Sequence, residues 1–190
     1  MPAIRRALGT ISQMSTYGTA VIADTARCDE AEAITTNLRK LAAMTVDRCT
    51  LNPVAPVGEL WRASGYIMMS TSEMIGIDLF AGVDTARVVI ADDIDEYGAL
   101  WTAWRIHNAE PVVVYRKYLA ANENAVDTEL AAKDRADIDA AADMAELWGV
   151  NPTVVAAVED YFGAMSRSLG IVGTPFLPWL DALDLRWPIP

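Results

Sequence analysis

The chain has one histidine, His107, and two cysteines, Cys28 and Cys49, among 190 residues. A single imidazole excludes multi-histidine metal centres and the His-Glu-x-x-His zinc helix, which need at least two. The cysteines lie far apart with no Cys-x-x-Cys, which removes thiolate zinc sites and thioredoxin-like redox pairs. They are expected as reduced, packed thiols, a disulfide being the alternative if the protein is exported. Cations are also scarce. Fifteen lysines and arginines face 26 acids, for a net charge of −11, and such a surface repels phosphate backbones and anionic membranes.

Long apolar runs are missing. No stretch approaches the ~20 residues that a membrane-spanning helix needs. Arg5 and Arg6 look like the start of a signal peptide, but Gly9, Thr10, Ser12, Gln13 and Ser15 interrupt the segment after them. Export is not expected, and the cytoplasm is the expected compartment. There is no Gly-x-x-x-x-Gly-Lys-Ser/Thr loop, Gly-x-Gly-x-x-Gly, Gly-x-Ser-x-Gly or kinase signature, so no cofactor is expected.

What is present is core-forming bulk. The chain is 53% hydrophobic and 22% charged, which suits a folded domain and not a disordered tail. Its length allows one ample domain, or a compact domain with a helical appendage. The negative charge is concentrated: between Ala121 and Asp160 there are ten acids, opposed by Lys133 and Arg135 alone.

The patterning predicts an α+β fold. Tyr17 to Ala23 suits a short strand. Asp29 opens a helix to about Met44, with Ala31, Ile34, Leu38, Leu41 and Ala42 on one face and Glu30, Glu32, Arg39 and Lys40 on others. Asn52-Pro53 and Pro56 mark a turn-rich connector. Strands are expected at Glu59 to Ser70, Ile75 to Phe80, Arg87 to Ala91, Leu100 to His107 and Val112 to Leu119, joined briefly enough for an antiparallel meander. Asp127 caps a helix to Trp148 with Leu130, Ile138, Ala141, Ala145 and Trp148 inward. Gly149 stops it. Asn151 and Pro152 start another that buries Val155, Val158, Phe162, Met165 and Leu169 before Gly170. The division is thus an α+β domain over 1–122, an acidic helical hairpin packed on it over 123–170, and an extended Pro/Trp-rich tail over 171–190.

Ala145, Gly149, Val150, Val155, Val158 and Glu159 stand at the spacing of a helix-turn-helix: a small residue at the crossing, glycine for the turn, apolar residues to lock the second helix. Over about residues 141–162 the chain resembles the repressor-type helix-turn-helix of phage and bacterial regulators. No whole-chain family is recognised. The resemblance implies a DNA-binding regulator, with bases read from early in the second helix. Those positions are Thr153, Val154, Ala156 and Ala157, and acids surround them, so the motif predicts a shape more than an activity.

Three further groups carry candidate chemistry. Asp92, Asp93, Asp95 and Glu96 form an acidic run that begins like a calcium loop at Asp93. Trp104 stands where the loop's twelfth-position glutamate belongs, which excludes a calcium hand. A looser Mg²⁺ or Mn²⁺ site on the four carboxylates is one reading and a solvated hairpin tip the other. Trp101, Arg105 and His107 share a strand face, as do Tyr115 and Lys117. Aligned, they form a platform able to stack a base or hold an anion; the alternative is a face covered by a helix or the tail. His107 with Arg105 is also the only catalytic candidate, the acidic loop beside it. In the tail, Phe176, Trp179, Leu180 and Trp187 are anchors that either clamp their own domain or dock on a partner. The expectation is therefore a non-enzymatic intracellular protein of regulatory type, acting through contacts with a protein partner or in a homo-oligomer. A DNA-binding regulator and an enzyme centred on His107 and the Asp92–Glu96 loop are the alternatives.

Overall fold

The computed structural model describes residues 17–43, 49–68, 78–94, 98–120, 140–162 and 174–188. Within them the chain runs β1 (Tyr17–Thr25), α1 (Cys28–Ala42), β2 (Cys49–Leu51), β3 (Ala55–Val57), β4 (Leu60–Ile67), β5 (Thr85–Ile94), β6 (Gly98–His107), β7 (Glu110–Ala120), α2 (Ala140–Trp148), α3 (Pro152–Phe162), a 3₁₀ turn (Thr174–Phe176) and α4 (Leu177–Ala182). The strands form one antiparallel sheet, so the fold is α+β as expected.

The topology is not the simple meander. Both β2 and β3 pair with β4, and the order then runs β4, β1, β5, β6, β7. Only β5 to β7 is a meander; β1 inserts between β4 and β5. The reason is burial. Every residue from Gly18 to Thr25 is buried, and a strand covered on both faces belongs in the middle of a sheet. Proline marks the edges: Pro56 in β3 and Pro111 in β7 sit in strands that have one partner each among the described residues, where a missing N–H costs no ladder bond. The short strands β2 and β3 occupy what reads as connector. The strand expected at Ile75 to Phe80 is absent over its described part, where Leu79 and Phe80 lie in a turn.

Because side chains alternate along each strand, the sheet has two apolar faces. On one, Val21, Ala23, Val88 and Ile90 meet Ala31, Ile34, Leu38 and Leu41 of α1, all 5% exposed or less. Ala42 is only half-buried, and Glu30 is 2% exposed although its charge suggests an outward position. Glu30 Oε1 accepts the backbone N–H groups of Asp84 and Thr85 (2.9 and 3.3 Å). Asn37 Nδ2 donates to the carbonyls of Leu79 and Ala81. These buried polar groups are tolerated because they satisfy the loop that crosses beneath them.

The other face carries α2, α3 and the tail. Ala20, Ile22, Val89, Trp101 and Tyr115 from the sheet join Met144, Trp148 and Val155 from the helices and Phe176, Trp179, Leu180, Leu183 and Leu185 from the tail in a single cluster. Six rings run across this face. Tyr115 meets Trp179 (5.3 Å), Trp179 stacks on Trp101 (5.7 Å, 12°), Trp101 on Phe176 (6.2 Å), Phe176 on Trp187 (6.0 Å), and Trp187 meets Tyr66 of β4 (5.6 Å). The Trp101 indole N–H donates to Met144 Sδ at 3.4 Å. Tyr66 lies over Gly18, where any Cβ would collide with its ring.

The tail is not extended throughout. The 3₁₀ turn and α4 fold it back, and α4 ends with Asp184 at φ +52° while Leu185 N–H donates to Leu180 O (2.7 Å). Prolines at 175 and 178 permit this because helix starts need no N–H there.

Candidate functional site

Asp24 lies near the end of the buried run of β1. Its register partners are Arg62 on β4 and Arg87 on β5, so one carboxylate lies between two guanidinium groups. Arg62 Nε donates to Oδ1 at 2.6 Å and its Nη2 to Oδ2 at 2.9 Å. Arg87 Nε and Nη2 both donate to Oδ2, at 3.1 and 3.0 Å. The Asp24 side chain is 0% exposed, while the arginines are 22% and 24% exposed. A carboxylate removed from water is costly unless its lone pairs are used, and four charge-assisted donors use them here. Both Asp24 oxygens are thus engaged by guanidinium donors, one on Oδ1 and three on Oδ2.

Arg87 continues to the hairpin. Its guanidinium sits 4.5 Å from the centroid of the Trp148 ring, and Nη1 donates to Leu147 O at 3.4 Å. The last turn of α2 thereby accepts a cation, which its free carbonyls and dipole favour. Gly149 comes next, at φ +68°. Val150 N–H donates to Ala145 O (2.9 Å) and Gly149 N–H to Glu146 O (3.1 Å), the paired bonds that close a glycine-terminated helix. Asn151 Oδ1 then accepts Thr153 N–H at 3.0 Å and so caps α3. Ala145 and Val155 are 0% exposed at the contact with the core. On its other side α3 is tied to β7 by Lys117 Nζ and Glu159 Oε1 at 3.2 Å.

Next to Arg87, across the β5–β6 pairing, stands Arg105. It and His107 are exposed, and both open onto a cleft of about 310 Å³ with Thr85, Arg87, Asp24 and Leu147. A second cleft, about 380 Å³, lies on the other face of the sheet. There Trp104 and Phe80 pack at 5.6 Å, and Arg116 supplies a buried Nε that has no partner among the described residues.

The structure separates Asp92 and Asp93, the described residues of the acidic run, from His107 and Arg105. Asp92 and Asp93 belong to strand β5, not to a loop, and are 2% and 3% exposed. Being consecutive they point to opposite faces, so they cannot converge on one cation; Thr19 Oγ1 donates to Asp92 Oδ1 at 2.6 Å. Asp95 and Glu96 lie outside the described residues. Asp92 pairs with Leu100, seven residues along β6 from His107 and so roughly 23 Å away at strand rise. His107 and Arg105 therefore share a cleft with each other and not with Asp92 or Asp93. The aromatic half of the expected platform is covered: Trp101 faces Lys117 in register, but Trp101 and Tyr115 are 0% and 2% exposed beneath the tail.

The tail anchors turn inward. Phe176 and Trp179 are 0% exposed, Leu180 is 2%, and Trp187 packs against the same cluster. They clamp their own domain, and no partner reaches Phe176, Trp179 or Leu180 unless the tail detaches. The Asp127 cap, Leu130, Ile138, Met165, Leu169 and Gly170 lie outside the described residues. The Asp24–Arg62–Arg87 junction escapes a reading of the chain because its contacts span 38 and 63 residues. The one local trace is an acid near the end of an apolar strand.

Burial raises the pKa of the Tyr66 phenol, with help from the Asp93 charge. Desolvation raises the Cys28 thiol, reinforced by Glu32, and desolvation raises Cys49 against an opposing effect of Arg39. Both cysteines are free; Cys28 is half-buried and Cys49 exposed, so neither is the fully packed core thiol expected.

The fold is thus an α+β antiparallel sheet with a helix on one face and a helical hairpin plus tail on the other, closed by a buried arginine–aspartate junction. No family model, curated protein or solved structure matches the chain. Among the described residues no helix is long and apolar enough to cross a membrane.

Proposed function

We propose that this is a non-enzymatic protein of regulatory type, acting in the cytoplasm through protein–protein contacts made by the outer face of the α2–α3 hairpin and α4. The observation that carries the reading is the sidedness of α3. Val155 is 0% exposed, whereas Val154 is 45% exposed and Thr153, Ala156 and Ala157 face solvent. On α4, which packs on α3, Leu177 is 46% exposed. Two of the four large apolar side chains exposed among the described residues fall on these adjoining helices, and such groups concentrate where a partner covers them.

Charge selects the kind of partner. The same helices and the turn after α4 expose Asp143, Glu146, Asp181 and Asp184, so a second copy of this face would meet like charge. A basic protein partner is favoured over a homo-oligomer. Two facts support binding over catalysis: the Asp24 carboxylate is consumed by its arginines, and His107 stands far from Asp92. The DNA-binding alternative gains nothing from α3, whose exposed early positions carry no cation.

The test is a Val154→Asp/Leu177→Asp double variant. Both positions are exposed, so its circular dichroism should match that of the wild type. Proteins retained by wild type from the source cell should be lost from the variant in parallel pull-downs, and a short duplex at low salt should bind neither. Equal retention by a folded variant contradicts the reading.

A further inference from the structure

We propose that the cleft beside the hairpin turn binds a small oxyanion, a carboxylate or phosphate group, on Arg105, His107 and Thr85, with Arg87 behind them. This site is independent of the contact surface proposed above. Its arrangement is one that folding alone disfavours. Arg87 and Arg105 are direct cross-strand partners on the same sheet face, and like charges so placed repel. Asp24 neutralises only part of this. It is one carboxylate shared by Arg62 and Arg87, and Arg105 makes no ion pair or side-chain hydrogen bond among the described residues. In a chain of net charge −11 with 15 basic residues, three arginines and the only histidine gather at one end of one face.

The site is also built to hold its shape. Asp24, fully buried, fixes the Arg87 guanidinium, and Trp148 supports it from the hairpin at 4.5 Å. Arg105 is free to offer a planar fork of donors, which matches two oxygens of a carboxylate or phosphate. Thr85 contributes a hydroxyl from the strand position opposite His107. Asp24 is the one acid among the described residues that line the cleft. Both Asp24 oxygens point to guanidinium groups, and Glu110, the register partner of His107 on β7, lies at the exposed rim. The cleft's volume of about 310 Å³ admits a small molecule and not a folded surface.

The single histidine makes the test direct, because the imidazole Hε1 proton gives one NMR signal located in the cleft. The full chain is titrated at fixed pH with sodium phosphate and with sodium succinate, each against sodium chloride at matched ionic strength. Phosphate or succinate should move the His107 signal saturably, and chloride should not. Which of the two binds more tightly assigns the oxyanion. Arg105→Gln, at an exposed position, should keep the fold and weaken binding roughly tenfold or more, the loss expected for a charge-assisted fork; Arg105→Lys should restore part of it. Lys117→Gln, far along the sheet and paired with Glu159, should bind like wild type. A shift that never saturates, that chloride reproduces, or that is unchanged in folded Arg105→Gln overturns the proposal.

Discussion

Arg87 of the sheet and Trp148 of the hairpin meet at 4.5 Å, guanidinium over indole, while the same guanidinium donates two hydrogen bonds to buried Asp24. The contact joins the middle of the sheet to the last turn of α2. It sets the hairpin's inner face against the core and leaves the outer face to solvent. A double-mutant cycle with Arg87→Met and Trp148→Leu, read by urea denaturation, should give a coupling energy of about 1 kcal/mol. Additive effects would show that the two residues are neighbours without being partners.

Asp24→Asn keeps the shape but leaves two guanidinium groups sharing a neutral amide. Breaking a buried pair costs about 3–5 kcal/mol when both partners are enclosed. The arginines are 22% and 24% exposed, so the expected loss is toward ~3 kcal/mol. Equilibrium unfolding measures it, and a loss below ~1 kcal/mol would mean that water replaces the carboxylate readily.

The tail is expected to be indispensable to the fold. Trp179 stacks on Trp101 and meets Tyr115, so Trp179→Ala should cost about 3–5 kcal/mol. Truncation after Gly170 removes Phe176, Trp179, Leu180, Leu183 and Leu185 from the core together. The shortened chain should lose its near-ultraviolet circular dichroism. A truncated chain that retains it would return the tail to the role of a detachable arm.

How much of this was legible in the chain differs by element. The inward face of α1 follows from Ala31, Ile34, Leu38 and Leu41 at helical spacing, and the hairpin turn from Gly149-Val150-Asn151-Pro152, because these signals are local. Glu30 was not legible: its buried carboxylate answers N–H groups at Asp84 and Thr85, 54 and 55 residues on. The place of β1 between β4 and β5 is likewise non-local. So is the Asp24 junction, since each charge alone reads as an ordinary surface residue. His107 and Arg105 were recognisable as a pair from their alternation on one strand. Their separation from Asp92 depends on strand length, and a loop reading of Asp92-Asp93 concealed it.

Alkaline pH should expose the burial of Tyr66. Its folded pKa is raised above the unfolded value near 10, so the neutral phenol's contribution is fully present below pH ~10 and is lost as pH rises through the folded pKa. Tyr66→Phe should flatten that part of the stability profile. An unchanged alkaline slope in the variant would place the titration elsewhere.

Two backbone positions invite stabilisation. Ala109 lies at φ +60° in the turn between β6 and β7, and Asp184 at φ +52° after α4. Side chains in the left-handed region cost about 1 kcal/mol or more. Ala109→Gly and Asp184→Gly should therefore each raise the melting temperature, in contrast to glycine inside α1, which should lower it.

The most direct measurement is native-state amide hydrogen exchange on wild type and Arg87→Met. If Arg87 docks the hairpin, the variant should lose more protection at Met144, Ala145 and the other α2 amides than at β1 and β4, which share only the loss from the weakened Asp24 junction. Undiminished protection of α2 in the variant would contradict the claim that this arginine holds the hairpin to the sheet.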